Sequence, residues 1–191
     1  TAAISLGATL TLNGSITKYF DSDPNGDGTA PPEWVIGVDP AVADPYDLVN
    51  TTEHEDPPPQ IVTDSDSDNT DDSFTLITGA PADGNMLTVE DWGFTGSPSG
   101  VKVYSAEVNG FNDEQITEFK LDSVAYWYEY IYADQAEIID GTSIDGGETY
   151  VFDNVSLSQG WNKVISESAD GDSYTYKGGT ISGTAWTFMK N

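Results

Sequence analysis

The chain has 191 residues, of which 33 are Asp or Glu and six are Lys, with no Arg, so its formal charge is −27 at neutral pH. A field of that sign repels phosphate backbones and anionic lipid headgroups and draws in cations, which argues against nucleic-acid and membrane-surface roles. The absence of Cys removes disulfides, thiolate metal sites and thiol nucleophiles together, while 37% hydrophobic and 12% aromatic residues supply a core and argue against wholesale disorder.

The first strand is expected over residues 4–12, where Ile4, Leu6, Ala8, Leu10 and Leu12 alternate with Ser5, Gly7, Thr9 and Thr11. Period two over this length makes one buried and one wet face. A second strand, or the rest of a bent one, follows over 15–20, after an Asn13-Gly14 pair that suits either a type I′ turn or a glycine bulge. From Asp21 to Asp72 the chain turns acidic and Pro-rich. Residues 1–75 hold fifteen acids against the single Lys18, and only 33–38 and 60–63 have strand character there. Short strands follow at 74–78, 86–89 and 101–108. Seven more are expected at 116–121, 124–132, 136–139, 150–157, 163–167, 174–177 and 180–189, with Gly- and Asp-bearing turns between them. Only residues 112–119 offer a helical alternative. The pattern predicts an all-β protein of two β-sandwich modules, immunoglobulin- or transthyretin-like with long acidic loops, over residues 1–109 and 110–191. No apolar run reaches the ~20 residues of a helical membrane span.

In the second half, YWYEYIYAD from Tyr126 to Asp134 precedes YVFDNVSLSQGWNKVI from Tyr150 to Ile165. An aromatic strand of the YWYYAD type followed by an L-x-x-GWNKV turn resembles uncharacterised secreted proteins and lipoproteins of spirochaetes and related bacteria. The resemblance covers residues 120–188 and implies a place outside the cell, secreted or lipid-anchored. It implies no activity. In the first half, LTLNGSIT followed by EWVIGVD is similar to transthyretin-like or fibronectin-like surface modules. The start at Thr1 without Met, the acidity, and the Gly, Ser, Thr and Asn punctuation add to the expectation of an exported chain whose signal or anchor has been removed.

Within Asp21-Ser22-Asp23-Pro24-Asn25-Gly26-Asp27-Gly28, oxygen ligands fall at alternate positions before a glycine that permits a sharp turn, as Ca²⁺ requires. Asp21, Asp23, Asn25 and Asp27 are therefore candidate metal ligands. Pro32 stands where an EF-hand carries its bidentate Glu, so a different calcium geometry, or a plain solvated loop, is the alternative. Asp64, Asp66, Asp68, Asp71 and Asp72 form a second acidic run that reads as a mobile loop or a weak cation site. Tyr126, Tyr128, Tyr130 and Tyr132 share one strand face, either as a platform for stacking sugar rings or as a packing surface. Trp161 is expected to plug the core beside a turn in which Asn162 bonds back to the backbone.

His54 is the only histidine and lies among Glu53, Glu55 and Asp56. No nucleophile elbow accompanies it, and zinc sites built on several His or Cys are excluded by count. A glycosidase carboxylate pair is set by separation in space and leaves no trace in spacing. The chain thus reads as a non-enzymatic secreted or cell-surface protein, structural or ligand-binding, with Ca²⁺ as its expected cofactor. Its expected partners are cations and a glycan or protein at the cell surface, with no nucleic acid. Two alternatives stand beside this: a carbohydrate-binding module using the 126–132 face, and a filament or adhesin subunit that donates residues 4–12 as a strand to its neighbour.

Overall fold

A computed structural model of the chain describes residues 1–21, 35–36, 72–106 and 115–190. Strands in the first half are β1 (Ile4–Gly7), β2 (Leu10–Asp21), β3 (Val35–Ile36), β4 (Asp72–Thr78), β5 (Leu87–Thr88), β6 (Thr95–Ser97) and β7 (Lys102–Ala106). The second half adds β8 (Gln115–Leu121), β9 (Ala125–Ala133), β10 (Glu137–Asp145), β11 (Glu148–Leu157), β12 (Gly160–Ser168), β13 (Ser173–Lys177) and β14 (Ala185–Lys190). The described residues contain no α-helix, only a 3₁₀ turn at Asp83–Asn85. The expectation of an all-β protein holds.

Two compact units divide the chain, and each is discontinuous. One comprises Thr1–Leu10, Thr78–Ala106 and Phe119–Thr184; the other comprises Thr11–Ile77, Glu107–Glu118 and Ala185–Asn191. A division at residue 109 does not match this. Backbone pairing joins β1 to β12, β6 to β10 and β7 to β9, so strands from the first half complete a sheet whose centre belongs to the second.

That centre is the antiparallel pair β9–β12, in register from Ala125 opposite Ser168 to Ala133 opposite Gly160. Two strands share the far edge of β9: Phe119–Leu121 of β8 at one end and Val103–Ala106 of β7 at the other. The far edge of β12 is divided in the same way, between β13 and β1. From β13 the sheet continues through a parallel partner, β11, to the β10 hairpin arm and to β6. Curling brings the inner faces of these strands around one core of Val89, Phe94, Val101, Val103, Ile131, Ala133, Ile139, Phe152, Val155, Leu157, Val164 and Tyr176. Phe152 is central to it, stacked on Tyr176 at 4.5 Å and met edge-on by Phe94 at 4.7 Å. β12 is buried on both faces, with only Lys163 and Glu167 reaching partial exposure. A strand flanked on both edges and covered on both faces leaves no row for polar alternation, which is why GWNKVISES is mostly apolar or small.

The second unit holds β2 from Thr11 onward, paired in parallel with β14, antiparallel with β3, and also joined to β4. Asn13-Gly14 makes no turn there, because β2 runs through it without interruption.

Candidate ligand-binding site

On β9 the alternation of side chains is as expected: Tyr126, Tyr128, Tyr130 and Tyr132 share one face. The structure does not leave them as an open platform. Tyr128 and Tyr130 are only 5% and 2% exposed. Register places Trp161, Lys163 and Ile165 of β12 directly opposite Tyr132, Tyr130 and Tyr128, and Tyr104 of β7 opposite Tyr132. Trp161 meets Tyr132 and Tyr104 edge to face at 5.4 and 6.2 Å. The Lys163 ammonium sits 3.9 Å from the centre of the Tyr128 ring. The Tyr128 hydroxyl accepts the Ile181 amide proton at 2.6 Å. Rings of this stripe are thus engaged as packing, with Tyr126 and Tyr132 half-buried at its ends.

The opposite face of the same strand carries the more accessible arrangement. Trp127 and Glu129 lie on the inner face, where Tyr174 of β13 and Tyr150 of β11 continue the row. The Trp127 and Tyr174 rings are 5.9 Å apart at 80°, and Tyr174 lies stacked on Tyr150 at 5.3 Å. Phe119 closes the far end, stacked on Trp127 at 6.4 Å. Trp127, Tyr174 and Tyr150 are half-buried, grading into the buried Tyr176 and Phe152 beneath.

Carboxylates pin the polar edges of these rings. The Trp127 indole N–H donates to Glu129 Oε1 at 3.1 Å, and the Tyr150 hydroxyl donates to Glu148. Tyr174 donates to the Gly171 carbonyl at 2.6 Å. The hydrogen bond to Glu148, followed by burial, pushes the Tyr150 hydroxyl up to about 12. Burial raises Tyr174, with the Glu148 charge adding to it. Burial foremost, then the Glu129 charge, raises Tyr176. All three tyrosines therefore stay neutral donors across the physiological range. The result is a row of rigid aromatic edges and faces bordered by acceptors, which suits a neutral ligand with apolar faces and hydroxyl edges.

Trp161 and Asn162 are where the sequence placed them. Trp161 is 1% exposed, and its indole N–H donates to the Gly79 carbonyl at 3.0 Å. Asn162 is fully buried; its Oδ1 accepts from the Ser158 amide at 2.8 Å, and its Nδ2 donates to the Ser158 and Gly160 carbonyls at 2.8 Å each. Asp21 ends β2. Its companions Asp23, Asn25 and Asp27 lie outside the described residues, as do His54 and the run Asp64, Asp66, Asp68 and Asp71; Asp72 begins β4. Among the described residues no three His, Asp or Glu side chains are grouped to hold a metal ion.

One buried acid was not anticipated. Glu137 is 2% exposed, and its Oε1 accepts the backbone N–H of Ser97 and, at 2.7 Å, that of Ile138. Its Oε2 is buried and has no partner among the described residues. Burial raises its pKa, with the charges of Glu90 and Asp134 adding to the effect and the two backbone N–H groups opposing it.

Neither the known protein families, nor the curated proteins, nor the solved structures contain a match to this chain. No helix among the described residues is long and apolar enough to cross a membrane.

Proposed function

We propose that the chain is a non-enzymatic secreted or cell-surface protein of β-sandwich modules that holds a neutral saccharide along Trp127, Tyr174 and Tyr150. The observation that carries this reading is the half-exposed ring row with Glu129 and Glu148 bonded at its edges. Aromatic faces supply apolar contact to a pyranose ring, and carboxylate oxygens accept its hydroxyl protons. The charge of −27 opposes sulfated or uronate-bearing ligands. The location is supported by the resemblance of the aromatic strand and GWNKV turn, within residues 120–188, to secreted proteins and lipoproteins of spirochaetes and related bacteria.

Titration of intrinsic tryptophan fluorescence with neutral and with acidic oligosaccharides tests the reading. Saturable change with the neutral set, lost in Trp127→Ala and kept in Tyr130→Phe, is the expected result. No response in the wild type, or loss only in Tyr130→Phe, removes saccharide binding from this row.

Calcium at Asp21, Asp23, Asn25 and Asp27 is part of the same proposal. Its support is the alternate-oxygen sequence and the surplus of carboxylates. Thermal unfolding with Ca²⁺ and with a chelator is expected to show a higher Tm with the ion, and equal values eliminate it.

A further inference from the structure

Residues 1–7 occupy a position that the rest of the sheet prepares. β13 lies between β12 and β11, yet it reaches only Ile165–Glu167 of the former and Thr149–Phe152 of the latter. Beyond its end, the same interval is filled by the N-terminal segment. Ala2 bridges Ser156 of β11 in parallel, the direction β13 also takes, and Ile4, Ser5 and Gly7 pair antiparallel with Lys163, Asn162 and Trp161 of β12. The Gly178 amide, just past β13, donates to Thr1 Oγ1 at 2.8 Å. Two distant stretches thus lie end to end as one composite strand.

Glycines seat the segment at both ends. A Cβ on Gly178 would fall on the Ala2 backbone, and one on Gly160, which also has φ +96°, would fall on the Gly7 carbonyl. The retaining bonds are mostly main chain: Ala3 N to Ser156 O at 2.9 Å and Ser156 N to Thr1 O at 2.8 Å, besides the pairing with β12. Ala3 packs against the core, and Ile4 and Leu6 are half-buried. Between this segment and β2 lie Ala8 and Thr9, both exposed.

We propose that this slot takes residues 1–7 from a second copy of the chain, so that copies assemble by exchanging the segment about the Ala8–Thr9 hinge. Every contact in the closed form is available unchanged between copies, because donor and acceptor are the same sequence. Charge favours this occupant. In a chain of −27 that repels its own copies, residues 1–17 contain no ionisable side chain, the longest such run in the sequence. The donated piece is the part that meets least repulsion. Exchange replaces a tethered strand by a free one, so it depends on concentration and on hinge length. This inference is independent of saccharide binding.

Deleting Ala8 and Thr9 removes the whole link between β1 and β2, about 7 Å of extended chain, so the segment is expected to lose its own slot. Light scattering behind size exclusion is expected to show at least a doubling of mass for this variant, reversed by adding Gly178→Val to block the seat. A second arm adds a synthetic peptide of residues 1–9 to the full-length wild type and reads incorporation by native mass spectrometry. One peptide per chain is expected, and none in Gly178→Val. A folded, monomeric deletion variant overturns the proposal; if that variant does not fold, failure of the wild type to take up the peptide overturns it instead.

Discussion

Asn162 shows how one residue secures a turn. It satisfies one amide and two carbonyls of the Ser158–Gly160 bend from a fully buried position. Asn162→Ala removes all three bonds, of which the one to the Gly160 carbonyl is fully buried and the two to Ser158 are partly so, so a loss of about 1–3 kcal/mol is expected in urea unfolding. Asn162→Asp keeps the acceptor but turns the donor into a charge facing carbonyls, and is expected to lose at least as much. This role was legible in GWNKV because a short amide after a glycine turn has few other uses. Glu137 was not legible, since its burial follows from the pairing of β6 with β10, which no local pattern announces. Its raised pKa means that the folded state holds the proton more tightly than the unfolded chain. The resulting stabilisation is complete below the ordinary carboxylate range and declines as pH rises through the folded value. Tm measured from pH 4 to 7 is expected to fall more steeply for the wild type than for Glu137→Gln, and parallel curves would refute the assignment.

Strands with strict alternation and glycine-marked ends came through close to their expected bounds. β9, β11 and β13 are examples. β10 was underestimated, because Gly141 reads as a turn but sits at a register shift that the hairpin with β11 absorbs. β8 took the residues that offered a helix, since Phe119 and Leu121 gain cross-strand partners in Trp127 and Ala125 that a solitary helix would lack. The expected long first strand is broken at Ala8 and Thr9, where the chain leaves β12. The tyrosine stripe was located correctly and packing was one of its two readings, but its neighbours Trp161, Ile165 and Tyr104 were not readable, because they come from strands whose register is a tertiary property. The ring row is missed for the same reason: the parallel pairing of β13 with β11 aligns Tyr174 with Tyr150. Phe152 anchors β11 between two aromatic neighbours, and Phe152→Ala is expected to remove about 3–5 kcal/mol, read as a lower denaturation midpoint at unchanged slope.

Charge belongs to the molecule as a whole. A net −27 opposes compaction wherever the acids lie. Raising NaCl from ~0.1 to ~1 M shortens the screening length from about 10 to about 3 Å, so Tm is expected to rise with salt; a fall would mean that attractive pairs dominate. Composition was enough to read this property, and strand periodicity with turn signals was enough to read the all-β class. Division into units was not readable, because pairing between residues far apart in sequence leaves no compositional seam. The composite strand also sets a timetable. Residues 1–7 emerge from the ribosome about 150 positions ahead of β11 and β12, their seat. At translation rates of about 5–20 residues per second, they wait on the order of ten seconds or more with no sheet to join. A neighbouring nascent chain on the same message is in the meantime exposing that seat, so polysomes are a natural setting for copies to become linked.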